Sequence, residues 1–482
     1  MKAVLGVSWV LAFAVVPLGL RAQLASSECR LSAPWAPGIR AECATVTVPE
    51  NPAAPDRAAI QLFVARVPSH NPVPREDPLT IIAGGPGQSA ADFYMSMRSA
   101  FEPIRRDRDL ILIDQRGTGR SAPLTCPGVT TASLELAAPD TLPALMRDCL
   151  ADLGADPRYY TTSVAVADLE QVRRALGVTQ WNVYGISYGT RVAQHYLRHY
   201  PAQTRALILD GVVPSDAALG PEIAGHAQRA LDQLLARCVA EPPCAARFAQ
   251  SREQLDALMT TLSAAPITLQ LPNPRTGALE TQTLSLAHLT AVIRLLSYSP
   301  QTAALLPLLI SEAHAGNFAP IAAQSQMIAD ELERVLSLPM HNAVVCTEDV
   351  PFFAPDAGAL AAQTYLGTTV IDALQAVCSV WPPGVLDADA RTPLQSAAPV
   401  LLLSGSADPI TPPDYGVAVL ANLTNARHLI GQGLGHGLAG AGCVPRLMRE
   451  FLDDLAPATL DASCLDREHF NPFFLDFNGP SP

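Results

Sequence analysis

Trp181-Asn-Val-Tyr-Gly-Ile-Ser187-Tyr-Gly-Thr-Arg-Val-Ala-Gln-His195-Tyr-Leu-Arg-His199-Tyr200 is the stretch whose reading decides the fold. It opens on the apolar, β-rich run Trp181–Tyr184 and continues from Tyr188 with helical spacing. The two are joined by Gly185-Ile-Ser187-Tyr-Gly189. A nucleophile lifted out of a sheet on so sharp a turn needs small residues two positions away on each side, because strand and helix backbones meet there. At this glycine content the G-x-S-x-G string alone arises by chance in roughly one chain in ten, so the strand–turn–helix setting carries the inference. The first turn of the following helix also offers backbone N–H groups to a developing oxyanion.

Working outward, eight short β-rich runs are predicted as strands: 44–48, 59–67, 79–83, 110–114, 181–185, 206–210, 400–403 and 427–430. Continuous apolar runs such as Leu-Ile-Leu-Ile at 110–113 fit strands buried on both faces of a parallel sheet. Helical patterns alternate with them, as at Val164, Leu169, Val172 and Leu176. The expected class is therefore α/β, a mostly parallel eight-stranded sheet flanked by helices. The alternation lapses over 216–395, an Ala- and Leu-rich stretch with helical spacing at 223–238, 252–262, 286–296, 302–315 and 321–336. It is read as a large, mainly helical cap inserted between strands six and seven. The expected division is a signal peptide at 1–25, the first part of the core at 26–215, the cap at 216–395, and the second part of the core with a C-terminal extension at 396–482.

Partners for Ser187 are sought after later strands, in the chain order nucleophile, acid, histidine. Asp408 follows the strand at 400–403 within Ser404-Gly-Ser-Ala-Asp-Pro-Ile-Thr-Pro412, and His436 follows the strand at 427–430 in a glycine-rich loop, Gly431-Gln-Gly-Leu-Gly-His-Gly437. Asp210, at the end of the preceding strand, is the rival acid. Asp408 is preferred because its strand immediately precedes that of the histidine. Ala83-Gly-Gly-Pro-Gly87 brings backbone close to a ligand, so the Gly85 and Tyr188 N–H groups are the expected oxyanion donors. Asp114 and Arg116, in Asp114-Gln-Arg-Gly-Thr-Gly-Arg-Ser121, are expected to brace the loops above the site. Asp168 and Glu170 are given a surface role.

Taken together, G-G-P-G, D-Q-R-G-x-G-x-S, G-x-S-x-G, D-P-I-T-P and G-H-G, spread over about 80–445, make the chain resemble the proline iminopeptidase and tripeptidyl aminopeptidase group of the α/β-hydrolase fold, and its secreted tripeptidyl aminopeptidase-like branch in particular. The resemblance implies Ser187 as nucleophile, Asp408 as acid, His436 as base, Gly85 and Tyr188 as oxyanion donors, and a helical cap above them. Ala83 stands where strict proline iminopeptidases have His, so proline specificity is not implied. An exopeptidase must hold the substrate's α-ammonium, and carboxylates are the physical means. Glu348 and Asp349, beside Cys346, are the candidates for that role.

Composition narrows the chemistry. The chain has 482 residues, 49% hydrophobic and 16% charged, with a net charge of −13. That charge argues against nucleic acid or an anionic membrane as partner. Lys2 is the single lysine, which excludes Schiff-base, P-loop and Ser–Lys chemistry. Lys2 followed by an apolar run to Leu20, with small residues near Ala22 and Ala25, reads as a cleaved signal peptide. The ten cysteines fall as sequential neighbours, 29/43, 126/149, 238/244, 346/378 and 443/464, and are expected to form disulfides in an exported protein, periplasmic or extracellular. His195 and His199 form an H-x-x-x-H, but Tyr196 stands where a zincin needs Glu, and neither metal nor organic cofactor is expected.

The expectation is thus a secreted serine hydrolase, monomeric, that acts as an aminopeptidase on short peptides with a free N-terminus and has no stable membrane insertion after signal removal. Alternatives are an exported carboxylesterase or lipase of the same fold, and a catalytically inactive binding protein.

Overall fold

The computed structural model describes residues 24–33, 36–129, 140–273, 276–467 and 470–480. The signal-peptide segment lies outside these residues apart from its last two positions. Eleven strands are described: β1 (Ser27–Ala33), β2 (Ala36–Pro49), β3 (Ala59–Val67), β4 (Leu79–Ile82), β5 (Leu110–Ile113), β6 (Trp181–Ile186), β7 (Thr204–Asp210), β8 (Ile267–Pro272), β9 (Leu279–Leu284), β10 (Val400–Gly405) and β11 (Ala426–Gly431). Nine form one sheet in the order β1-β2-β3-β5-β4-β6-β7-β10-β11. Its first three pairings are antiparallel, and every pairing from β5 to β11 is parallel.

The sheet exceeds the expected eight strands by β1. Of its residues only Leu31 is fully buried, so the strand carries no apolar alternation to read. Backbone pairing with β2 and the Cys29–Cys43 disulfide hold it instead.

Alternating side chains along each central strand enter opposite cores. Ile82, Ile111, Ile113, Val183, Leu207 and Leu402 face one layer of helices, which includes α2 (Leu142–Asp152), α3 (Thr162–Ala175) and α4 (Tyr188–His199). Ile81, Leu110, Leu112, Tyr184, Ile208 and Leu403 face the other layer, formed by α1 (Ala90–Arg105) and the C-terminal helix Val444–Asp454. Burial on both faces is why these strands read as unbroken apolar runs.

Between β7 and β10 the chain forms α5 (Ile223–Ala240), α6 (Pro242–Phe248), α7 (Ser251–Ala264), the β8–β9 hairpin, α8 (Leu286–Leu296), α9 (Pro300–Ala303), α10 (Leu306–His314), α11 (Ala319–Val335), α12 (Leu338–Glu348), α13 (Ala357–Ala361) and α14 (Thr369–Cys378). This segment has its own apolar core, in which Leu231, Leu255, Val292, Leu306 and Ile321 meet. Two features depart from expectation. The insertion includes an antiparallel hairpin whose first strand alternates half-buried with exposed residues. The helix expected at 302–315 is broken at Ala304–Leu305, where Pro307 starts a second helix.

Asp168 and Glu170 are not surface residues. Each is about 4% exposed or less. Asp168 takes both Arg116 Nε and Nη2, at 2.6 and 2.7 Å. Glu170 accepts from Arg173, Arg174 and Tyr196. The Arg116 fork also reaches the carbonyls of Pro49, Glu50 and Tyr159, so it ties β2 to the loop beyond β5. The cysteines pair as sequential neighbours in five disulfides. Among the described residues no helix is long and apolar enough to cross a membrane.

Candidate active site

The loops after β4, β5, β6, β7, β10 and β11 all leave the same edge of the sheet, the carboxyl ends of its parallel strands. Open α/β sheets bind ligands at that edge. Ser187 sits in the turn between β6 and α4 at φ 55°, ψ −126°, a left-handed conformation that a non-glycine residue adopts only when its surroundings enforce it. The enforcement is local: the Ser187 N–H donates to the Asp210 carbonyl at 2.9 Å, and its carbonyl accepts from Thr190 N and Oγ1. The flanking glycines are steric necessities. A Cβ on Gly185 would lie 2.3 Å from the Gly189 carbonyl oxygen, and one on Gly189 would lie 2.5 Å from that of Ile82. Ser187 is the one residue from Trp181 to Thr190 that is not buried.

Asp408 and His436 are brought together. Asp408 Oδ2 lies 2.8 Å from His436 Nδ1, and Oδ1 accepts the N–H groups of Ile410 and Thr411. Thr411 Oγ1 donates to Asp408 Oδ2 at 2.8 Å and lies 3.1 Å from His436 Nδ1. Burial alone would raise the Asp408 pKa, but the imidazole beside it and the donated N–H groups hold the carboxyl below its ordinary value. Burial would lower His436, and the Asp408 carboxylate outweighs that and raises it. The pair therefore favours an imidazolium, which is what a base must become after taking a proton.

Sequence reasoning missed what holds His436. Its N–H donates to the Tyr298 carbonyl at 2.7 Å, and the Tyr298 ring stands edge-on to the imidazole at 5.1 Å. Asp210, the rival acid, does not meet the ring. Its two oxygens accept the Leu438 and Ala439 N–H groups and the Tyr184 hydroxyl. The adjoining Gly211 packs under the imidazole, where a Cβ would lie 3.0 Å from Cε1. The Asp210–Gly211 step thus carries Ser187 on its carbonyl and supports the histidine loop on its side chain.

The glycine loop after β4 passes directly beside Ser187, since a Cβ on Gly84 would lie 3.0 Å from that of Ser187. Gly85 follows at φ 106°, and Tyr188 opens α4. The loop is held from above: the Ser337 N–H donates to the Gly87 carbonyl at 2.9 Å, and Gln88 bridges to Leu336. Below it, Asp114 binds Ser89 Oγ and the Ala91 and Arg120 N–H groups, the bracing role expected of it.

Glu348 and Asp349 end α12, both buried. Glu348 accepts the Thr162 N–H and hydroxyl, and burial raises its pKa. Asp349 Oδ1 accepts Arg191 Nη2 at 2.9 Å and the Leu219 N–H at 2.8 Å, whereas Oδ2 has no partner. Arg191 belongs to α4, one turn beyond Ser187. His341 lies earlier on α12, and its Nδ1 is buried without a partner. Glu348, Asp349 and Arg191 thus form a buried polar cluster.

Comparison with known proteins settles the family. The alpha/beta hydrolase fold family matches residues 77–438. The chain belongs to the alpha/beta hydrolase fold family. Over its length this alpha/beta hydrolase is 30% identical to Carboxylesterase B of Mycobacterium tuberculosis, covering 87% of this chain and 85% of that protein. Shorter stretches match the Proline iminopeptidase of Xylella fastidiosa (32% over 139 residues, 29% of this chain and 33% of that one) and the Tripeptidyl aminopeptidase of Streptomyces coelicolor (28% over 190 residues, 36% and 35%). The chain spans only about a third of the length of these two relatives. Among solved structures it is similar to Proline iminopeptidase of Mycobacterium smegmatis, with 15% identity over 86% of this chain and 99% of that one and a TM-score of 0.40.

Proposed function

We propose that this alpha/beta hydrolase is an exported serine aminopeptidase, which cleaves short peptides from a free N-terminus through an acyl-enzyme on Ser187. The observation that carries the reading is Asp349 Oδ2, a buried carboxylate oxygen with no partner, in the cluster that Glu348 and Asp349 form with Arg191. An unpaired buried acceptor of that charge is costly unless something donates to it, and a substrate α-ammonium supplies the donor. Glu348 adds negative charge beside it. Five disulfides suit export.

In the proposed reaction His436 takes the Ser187 hydroxyl proton as the oxygen attacks the scissile carbonyl. The oxyanion rests on the Gly85 and Tyr188 N–H groups. His436 then returns the proton to the leaving amine, and water, deprotonated by the same imidazole, releases the acid and restores Ser187.

The near full-length likeness to a protein named Carboxylesterase B favours a second reading, an esterase. One assay separates the two: a peptide anilide with a free amine, its N-blocked counterpart and a short-chain ester. Preference for the free amine supports the exopeptidase; equal cleavage of the blocked peptide, with a faster ester, overturns it. Ser187→Ala is expected to abolish turnover of all three while leaving the fold intact.

A further inference from the structure

Eight and twelve residues beyond Ser187, toward the far end of α4, His195 and His199 meet two carboxylates from the segment that leads back from the insertion to β10. His195 Nε2 lies 2.8 Å from Asp387 Oδ2, and His199 Nε2 lies 3.7 Å from the same oxygen and 3.4 Å from Asp389 Oδ1. One ligand atom from each of the four residues lies within 4.8 Å of every other. A tetrahedral cation with arms of about 2.0–2.1 Å needs its ligand atoms about 3.3 Å apart, close to these separations. The imidazole rings stand 4.4 Å apart between centroids, as i, i+4 neighbours on a helix must. We infer that His195, His199, Asp387 and Asp389 form a binding site for a divalent first-row cation of the zinc class.

The chemistry of the donors supports this. Two imidazoles with two carboxylates suit zinc, cobalt or nickel better than calcium or magnesium, which prefer all-oxygen sets. His195 is buried and forms the inner wall of the cluster. His199, Asp387 and Asp389 are 35%, 38% and 47% exposed, so a hydrated ion can reach them. The carbonyl end of α4 adds a favourable dipole for a cation. Asp387 is already held in place, its N–H donating to Ser163 Oγ at 2.9 Å.

Arg198 competes. Its Nη1 lies 3.0 Å from His195 Nδ1, so in the cation-free state Nδ1 accepts and the Nε2 proton points to Asp387. On binding, the ring keeps one proton, now on Nδ1, and Arg198 turns away from it; its other nitrogen already bonds the Thr392 carbonyl. At 1.5 Å per residue, His195 and His199 lie about 12 and 18 Å along the helix from Ser187. The site would therefore pin the returning segment to α4 and act on stability, not on the chemical step.

The test uses the mature chain, stripped with EDTA, dialysed and titrated with ZnCl2 by calorimetry and with CoCl2 by visible absorption. One equivalent per chain is expected at micromolar Kd or tighter, with a tetrahedral cobalt band. Zinc at about a hundredfold over Kd should raise Tm by several degrees while kcat stays unchanged. The double variant His199→Ala/Asp389→Asn, altered only at part-exposed positions, should lose binding by at least about a hundredfold and lose the Tm response. Arg198→Ala should bind at least as tightly as the parent. Binding weaker than about 1 mM, or equal binding by parent and double variant, overturns the site.

Discussion

The carboxylate of Asp210, at the end of β7, accepts the backbone N–H of Leu438 at 2.7 Å, so the strand beside the one that leads to Ser187 holds the loop that carries His436. Oδ2 takes the Ala439 N–H and the Tyr184 hydroxyl as well. Burial raises the Asp210 pKa, and those three donors oppose the rise. Replacing Asp210 with Ala leaves two buried N–H groups without an acceptor, at a cost of about 1–3 kcal/mol each. The loop then loses its register against Ser187, and a displacement of about 1 Å can cost a hundredfold in rate. Asp210→Ala should lower both urea stability and kcat, and Asp210→Asn, which keeps an oxygen acceptor, should lie between. Asp210 also helps to raise His436, so in the Asn variant the acid limb of the pH–rate profile should move down. An unchanged kcat and profile would leave Asp210 a purely structural residue.

The Asp408–His436 pair sets the pH dependence. A general base must be neutral, and the His436 pKa is raised despite burial because the Asp408 carboxylate favours the imidazolium. The sign follows: activity rises as pH climbs through that raised value, so the acid limb of kcat/KM should lie above about 6.5, the ordinary value for histidine. In Asp408→Asn the limb should shift to lower pH while the plateau falls by roughly 10³–10⁴. A limb that does not move on substitution would take Asp408 out of the catalytic role.

How much of this was legible in the sequence follows from how local each constraint is. Gly185 and Gly189 announce Ser187 because the clash they avoid is with backbone four residues away or in the adjacent strand. Leu110–Ile113 and Val400–Gly405 announce the sheet because both faces are buried. β1 is silent because pairing and a disulfide, not apolar burial, hold it. The alternation of Ile267, Leu269 and Leu271 was readable as a strand, but the helical spacing on either side concealed it. Asp168 looks like a solvated helix residue until Arg116, 52 positions earlier, closes on it. Tyr298 carries no motif, and Thr411 lies within D-P-I-T-P without a role there that the string reveals, because their contacts with His436 exist only once the insertion and the loop after β10 are in place.

The Cys346–Cys378 disulfide ties α12 to α14 across 32 positions, two residues before Glu348. A loop of that length gives about 3–4 kcal/mol through restriction of the unfolded chain. Cys346→Ala/Cys378→Ala should lower unfolding free energy by that order. Because the bridge anchors the end of α12, it should also raise KM for free-amine peptides more than it lowers kcat. Non-reducing peptide mapping checks the pairing itself, and a kcat effect without a KM effect would separate the disulfide from substrate binding.

Asp349→Asn tests the recognition of the substrate amine. Asn keeps an oxygen for Arg191 and the Leu219 N–H, the two partners of Oδ1, and removes the charge at the unpartnered Oδ2. A hydrogen bond to a charged group is worth about 1.5–3 kcal/mol, so kcat/KM for a free-amine peptide anilide should fall roughly 10- to 100-fold. The N-blocked anilide and the short-chain ester have no ammonium to lose, and their kcat/KM should stay within about twofold. Arg191 remains beside Glu348, 3.7 Å from its Oε2, so the buried guanidinium keeps a counter-charge and the variant should fold. Arg191→Leu is the contrasting change: it strands two buried carboxylates, should destabilise by about 3–5 kcal/mol, and should depress all three substrates alike. If Asp349→Asn also depresses all three alike, Asp349 serves the scaffold only, and another group must hold the ammonium.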